Sequence, residues 1–188
     1  MVKIPSDAKC VFNGILFDVY HWEQKLFDGS YRTFEAVKRI PSVQIISINN
    51  NNNKIVLLKE EQPHVGSFIS VPGGRVERGD SEIETVHKEL KEELGMKSDD
   101  IELWTTKNLG SKIEWTSNFF IARNCIEYCN TQLEAGEKIE REDLTFDAFI
   151  VETQKNEFRN KELANMIFRI IHTEGELEKF RKKLFINS

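Results

Sequence analysis

The sequence predicts an α+β fold, and three observations carry that prediction. Runs rich in Val, Ile, Phe and Tyr alternate with turn residues through the first part of the chain. A glycine turn at Gly73-Gly74 opens into a helical pattern that closes at Gly95. Apolar residues at helix spacing dominate again toward the C-terminal end. Strands first, a helix set among further strands, then terminal helices is an α+β order.

The elements follow in turn. Ile15 to Phe27 is rich in strand formers, Asp28-Gly29 is a hairpin turn signal, and Tyr31 to Arg39 reads as the returning strand. Val43 to Ile48 is a third strand and Ile55 to Lys59 a fourth. Between them run the asparagines Asn49 to Asn53, a tight surface loop, because Asn tolerates left-handed turn geometry. Phe68 to Val71 leads into the glycine turn, and Ile101 to Thr105, Trp115 to Cys125 and Phe146 to Val151 read as later strands. Leu163, Met166, Ile167, Ile170 and Ile171 keep helix spacing behind Asn160, a capping residue type. Glu174 to Phe185 forms a second amphipathic helix, divided from the first near Gly175. No repeat of solenoid period is present.

Composition sets the outer bounds. A chain of 188 residues suits one domain, or one domain with a small appendage. Hydrophobics at 39% and charged residues at 30% are globular values. A net charge of −5 without a basic block argues against nucleic acid as a partner. The opening residues lack the apolar centre of a signal peptide, and no apolar run approaches membrane-spanning length. Cys10, Cys125 and Cys129 make no metal-binding pattern with a nearby His. These features predict a cytoplasmic protein with no membrane partner.

The stretch from Gly73 to Met96 carries the chemistry. Ser81 followed by Glu84 is a capping box, and Gly95 suits a left-handed helix stop. Ile83, Val86, Leu90 and Leu94 form a narrow apolar stripe facing a core. Glu89 and Glu93 fall at the edge of that stripe, half-buried, and Glu92 falls on the polar side. Three acids so close repel one another unless a cation lies among them. A divalent metal carrying a phosphate substrate would supply that charge. Alone, Lys-Glu-Leu-Lys-Glu-Glu is also ordinary solvated helix. The glycine turn just ahead of it, where the backbone can approach closely, favours a site.

This stretch resembles the box of the Nudix hydrolase family: Gly, five residues, Glu, seven residues, Arg-Glu-U-x-Glu-Glu-x-Gly-U, with U apolar. Here Gly74 is followed at the same intervals by Asp80 and by Lys88-Glu89-Leu90-Lys91-Glu92-Glu93-Leu94-Gly95-Met96. Asp80 stands for Glu and Lys88 for Arg. The resemblance implies that Glu89, Glu92 and Glu93, with the carbonyl of Gly73, hold Mg2+ or Mn2+, an oxygen-ligand set suited to a hard cation. It implies an α/β/α sandwich with a mixed β-sheet and a small N-terminal antiparallel β segment. Residues 1–40 would be the N-terminal hairpin segment, exchanged across a homodimer and touching the nucleotide. Residues 41–188 would be the Nudix domain with its C-terminal helices.

The implied reaction is hydrolysis of the diphosphate bond of a nucleoside diphosphate linked to another group. The N-terminal pattern is similar to the ADP-ribose and nucleotide-sugar branch. The branch proline past the box is missing, since no proline follows Pro72, and this puts nucleotide sugars beside ADP-ribose. Glu92 and Glu93 are the catalytic candidates within the box. A further acid is expected from Leu133 to Glu140: Glu137, with Glu134 or Glu140 as alternatives, against the plain reading of an exposed acidic loop. For substrate binding the candidates are Arg39, Trp22 and His64. Their structural readings are a surface ion pair, hairpin packing shared with Tyr20, and a loop histidine. With Arg and Glu of the box replaced, a non-catalytic nucleotide sensor is the alternative function. An isopentenyl-diphosphate isomerase is disfavoured, because no cysteine lies between Cys10 and Cys125.

Overall fold

The computed structural model describes residues 3–63, 65–108, 110, 112–133 and 135–186. Three strands open the chain: β1 (Lys9–Asn13), β2 (Phe17–Lys25) and β3 (Tyr31–Arg39). All pair antiparallel, and the β2–β3 turn closes through the Leu26 N–H to the Ser30 carbonyl at 2.8 Å, with Gly29 at φ 87°. A second sheet is built from β4 (Ser42–Asn49), β5 (Lys54–Gln62), β6 (Gly66–Ser70), β7 (Met96–Lys97) and β8 (Asp100–Asn108). It is completed by β10 (Thr116–Glu127) and β11 (Lys138–Leu144), while the short β9 (Ile113–Glu114) joins β3 in the first sheet. The order β11-β5-β4-β10-β7 combines a parallel β4–β10 pair with antiparallel neighbours, so the sheet is mixed.

Helices cover both faces of this sheet. Strand alternation sends Ile46, Ile48, Ile55, Leu57, Phe119 and Ile121 to one side. There they meet α2 (Phe146–Glu152), α3 (Lys161–Ile171) and α4 (Glu176–Leu184) through Phe149, Leu163, Ile167 and Phe180. Val43, Ile45, Val56, Leu58 and Phe120 point the other way, onto Val86, Leu90 and Leu94 of α1 (Glu82–Leu94). The result is the expected α/β/α sandwich.

Three local expectations change. Phe146 to Val151 is not a strand but helix α2, capped by Thr145, whose hydroxyl accepts the Ala148 N–H at 3.3 Å. Phe146 and Phe149, one turn apart, face the core together, a period that a short apolar run conceals. Ile83 does not belong to the buried stripe: it is 41% exposed, and Thr85 is buried beside Val86 in its place. Asn160 precedes α3 but makes no side-chain cap; its Oδ1 accepts the Val71 N–H at 3.0 Å instead. Removing that oxygen leaves a half-buried N–H unpaired, so Asn160→Ala is expected to cost about 1–3 kcal/mol, read as a fall in melting temperature.

The asparagine run is a turn with a buried anchor. Asn49 is 3% exposed, and its Nδ2 and that of Asn52 both donate to Asp143 Oδ2 at 2.7 Å. Asn53 takes the left-handed φ of 54°. Arg141 clasps the same carboxylate through Nε and Nη2, at 2.6 and 2.9 Å. Burial alone would raise the Asp143 pKa, but the hydrogen bonds from Arg141, Asn52 and Asn49 outweigh it and hold it at about 2. An unfolded Asp titrates near ~3.9. The folded value is the lower one, so this stabilisation is complete above the unfolded value and is lost as pH falls through about 2. Asp143→Asn is expected to lose roughly 2 kcal/mol at neutral pH. It should also flatten the acid limb of a urea-unfolding profile.

Candidate active site

The site is a cavity of about 810 Å³ between the glycine turn, α1, the start of α3, the ends of β3 and β5 and the start of β4. Its floor is fixed by backbone. The Ile45 N–H donates to the Pro72 carbonyl at 2.8 Å and the Val43 N–H to the Gly74 carbonyl at 2.9 Å. Among the described residues none donates a hydrogen bond to the Gly73 carbonyl between them. The Gly73 N–H, in turn, donates to Glu93 Oε2 at 3.0 Å. A Cβ at Gly73 would lie 2.3 Å from the Val43 carbonyl oxygen, and one at Gly74 would lie 1.9 Å from Glu89 Oε1. The first glycine is therefore required by contact with backbone. The second makes room for a carboxylate.

Helix α1 presents Glu89, Glu92 and Glu93 to this cavity. Its ends match the sequence reading, with a complete Ser81–Glu84 capping box and Gly95 at φ 64°. Glu93 is more deeply buried than expected, at 7% exposed. Its pKa lies well above the usual carboxylate range, first through burial and then through the charge of Glu89, with Glu60 and Glu137 adding to the repulsion. Glu137 lines the same cavity, whereas Glu140 is exposed on β11 opposite Lys59 and Glu134 lies outside the described residues.

Glu60 is the acid that sequence reasoning missed. It follows Val56 and Leu58 by twos along β5, so strand alternation turns it inward, and that period was its available signal. It accepts hydrogen bonds from the Ser70 hydroxyl and, at 3.2 Å, from Gln62 Nε2. Burial raises its pKa, and Glu137 adds to the rise, against the lowering effects of Ser70, Arg159 and Gln62.

Cations line the same cavity. Arg39 stacks its guanidinium over the Trp115 ring, 4.0 Å from the centroid, and makes no ion pair among the described residues. Burial, then the charges of Arg75 and Arg159, lower its pKa. Arg159 lies over Phe68 at 4.3 Å and donates to Gln62 Oε1 at 3.1 Å. Its backbone is stitched to β6, the Arg159 N–H donating to the Ile69 carbonyl at 2.7 Å. Trp22 does not line this cavity. It packs against Phe34 with ring centroids 6.0 Å apart, and its Nε1 donates to Gln24, which is the hairpin role. His64 lies outside the described residues.

The box substitutions are visible. Lys88 Nζ pairs with Glu77 Oε1 at 3.0 Å, a point contact where a fork would reach further. Asp80 is exposed in the turn before α1.

The donor set suits a hard cation: carboxylates, one unengaged carbonyl, and a glycine cradle against Glu89. Among the described residues no three acids, histidines or cysteines already converge as a metal cage. Like charges held apart by their own repulsion account for that spacing.

The NUDIX domain model matches residues 38–166 of the chain. The chain belongs to the Nudix family. Within the Nudix family, the ADP-ribose pyrophosphatase of Bacillus subtilis (strain 168) is 28% identical over 86 residues. That match covers 45% of this chain and 46% of the relative, so it spans about half of each. Among solved structures, an ADP compounds hydrolase superposes with a TM-score of 0.73 at 17% identity, over 95% of this chain and 92% of its own. A MutT described for Aliivibrio salmonicida and Vibrio cholerae reaches 0.52 at 20% identity, over 70% and 98%. At these identities the structural likenesses establish the Nudix fold. The first extends it through most of the N-terminal strands and C-terminal helices.

Proposed function

We propose that the protein hydrolyses the diphosphate bond of a nucleoside diphosphate linked to another moiety, with ADP-ribose or a nucleotide sugar as substrate and Mg2+ or Mn2+ as cofactor. The observation that carries this reading is Glu93, buried among like charges at the glycine turn in a cavity that arginines also line. Glu89, Glu92, Glu93 and the Gly73 carbonyl would hold the ion. A divalent cation supplies neutralisation of the diphosphate and acidifies a bound water. The chain's own residues do the rest. Arg39, Arg75 and Arg159 bind the outer phosphate oxygens. The Gly73 N–H and burial fix the Glu93 carboxylate against the glycine turn. Glu92 and Glu93 would act through the ion they hold, and a Glu137 carboxylate oxygen receives the proton of the attacking water. The products are a nucleoside monophosphate and the phosphorylated second moiety.

We further propose the division into residues 1–40 and 41–188, and a cytoplasmic homodimer formed through the N-terminal sheet. The three cysteines are free thiols, which suits a reducing compartment. Phe12 on β1, Ile15 in the β1–β2 connection and Phe27 in the β2–β3 turn are 60%, 92% and 113% exposed, which supports an interface there. No helix of the described residues is long and apolar enough to cross a membrane.

A panel of ADP-ribose, nucleotide sugars, dinucleoside polyphosphates and nucleoside triphosphates with Mg2+ or Mn2+ tests the reading. Release of a nucleoside monophosphate is the expected result. Ligand-induced thermal stabilisation without turnover would assign the protein to nucleotide sensing instead. Elution at monomer mass in gel filtration would remove the homodimer.

A further inference from the structure

Arg159 enters the active-site cavity from the connection between α2 and α3. Its backbone is laid along β6. The Ile69 N–H donates to the Glu157 carbonyl at 3.0 Å, the Arg159 N–H donates to the Ile69 carbonyl at 2.7 Å, and Ile69 and Phe158 form a parallel bridge. Phe158 is fully buried and joins the segment to the core. Arg159 itself is exposed. An arginine side chain is rotamer-rich, so a fixed backbone does not by itself fix the guanidinium.

Side chains of the β5–β6 hairpin supply the rest. The guanidinium lies 4.3 Å from the Phe68 ring centroid, and Nη1 donates to Gln62 Oε1 at 3.1 Å. Gln62 Nε2 donates in turn to Glu60 Oε2 at 3.2 Å, and Glu60 Oε1 accepts the Ser70 hydroxyl. Strand register explains the grouping. Glu60 and Gln62 are two apart on β5, Phe68 lies directly opposite Glu60, and Ser70 is two residues further along β6, so all four share a face. The amide has one orientation that suits both neighbours, its oxygen toward the cation and its NH2 toward the carboxylate. Glu60 is 8% exposed, and a carboxylate so buried needs hydrogen-bond donors on its oxygens. Burial raises its pKa, and the charge of Arg159 is among the influences that oppose the rise, so acid and guanidinium act on each other across the amide.

We propose that Glu60 and Gln62 are positioning residues for Arg159: Glu60 anchors the Gln62 amide, and the amide holds the guanidinium ready for the diphosphate. This rests on the hydrolase reading, in which Arg159 binds an outer phosphate oxygen. The interposed amide has a chemical reason. A direct Glu60–Arg159 fork would engage two N–H groups and neutralise the charge that a phosphate needs. The neutral amide takes one of five N–H donors. A tether is also required, because Arg39 feels the charges of both Arg75 and Arg159, and such repulsion would turn a free arginine out toward solvent.

Gln62→Met cuts the relay at similar volume and is expected to raise KM for ADP-ribose roughly three- to tenfold, with a smaller change in kcat. Glu60→Gln keeps an acceptor and removes the charge, so a weaker effect in the same direction is expected. A double-mutant cycle with Arg159→Met is the test. If the relay acts through Arg159, Gln62→Met adds nothing once the guanidinium is gone. Additive losses, or a loss spread equally over kcat and KM without coupling, overturn the proposal. The Arg159 Nε–H signal in the nuclear magnetic resonance spectrum of the ligand-free protein supplies a readout without turnover. It should be ordered in the wild type and mobile in Gln62→Met, and equal mobility in the two overturns the relay. If the wild type turns over no diphosphate, the hydrolase reading fails, yet that gain in mobility would still uphold the relay.

Discussion

Glu93→Gln is expected to lower kcat/KM by roughly 10²–10⁴-fold while raising the melting temperature measured in chelator. The two effects share one cause. Glu93 is 7% exposed and faces Glu89, Glu60 and Glu137, so its folded pKa is raised by burial first and by like charge second. A carboxyl whose folded pKa exceeds its unfolded value favours folding below the unfolded value and loses that contribution as pH rises through the folded one. At neutral pH the wild type carries this penalty, and an amide does not. Gln keeps an acceptor for the Gly73 N–H, so the local backbone is preserved. Added Mg2+ should stabilise the wild type and leave the variant unmoved. Activity within tenfold of the wild type would refute the assigned role.

Gly74→Ala should lower activity by about a hundredfold at little cost in stability. The new Cβ would meet Glu89 Oε1 at 1.9 Å, and the far end of a flexible side chain can swing away. Folding survives the swing; the placement of the carboxylate does not. Gly73→Ala is the opposing control. There the obstacle is the Val43 carbonyl at 2.3 Å, part of the central sheet, and φ is 153°. That variant should lose stability as well as activity, and equal melting temperatures for the two would contradict this account of the turn.

Local signals made much of this fold legible. The capping box, the Gly95 stop and the spacing of Glu89, Glu92 and Glu93 are decided within one helix, and all three stand. The α+β order is legible in the apolar runs, and the two-sided sheet follows from the resemblance of the box. What escaped was decided by partners distant in sequence. Asn160 has a capping side chain, but the Val71 N–H claims it across the fold. Glu60 reads as one more surface acid until Ser70 and the neighbouring carboxylates surround it. Phe146 to Val151 is apolar enough for either element, and only Thr145 and the core contact of Phe149 select the helix. Arg39 is legible as the end of the strand entering the core, but nothing local announces its stacking on Trp115.

The asparagine turn has a consequence for how the chain tolerates change. A homopolymeric polar run between two strands looks like a spacer whose length is free to drift. Here two of its members, Asn49 and Asn52, converge on one Asp143 oxygen, and Asn53 supplies the reversal into β5. Gain or loss of a single asparagine between 49 and 52 would break that spacing and set the register of β5 against β4 in conflict with the anchor. The run is therefore counted, and its repetitiveness in composition hides a fixed length.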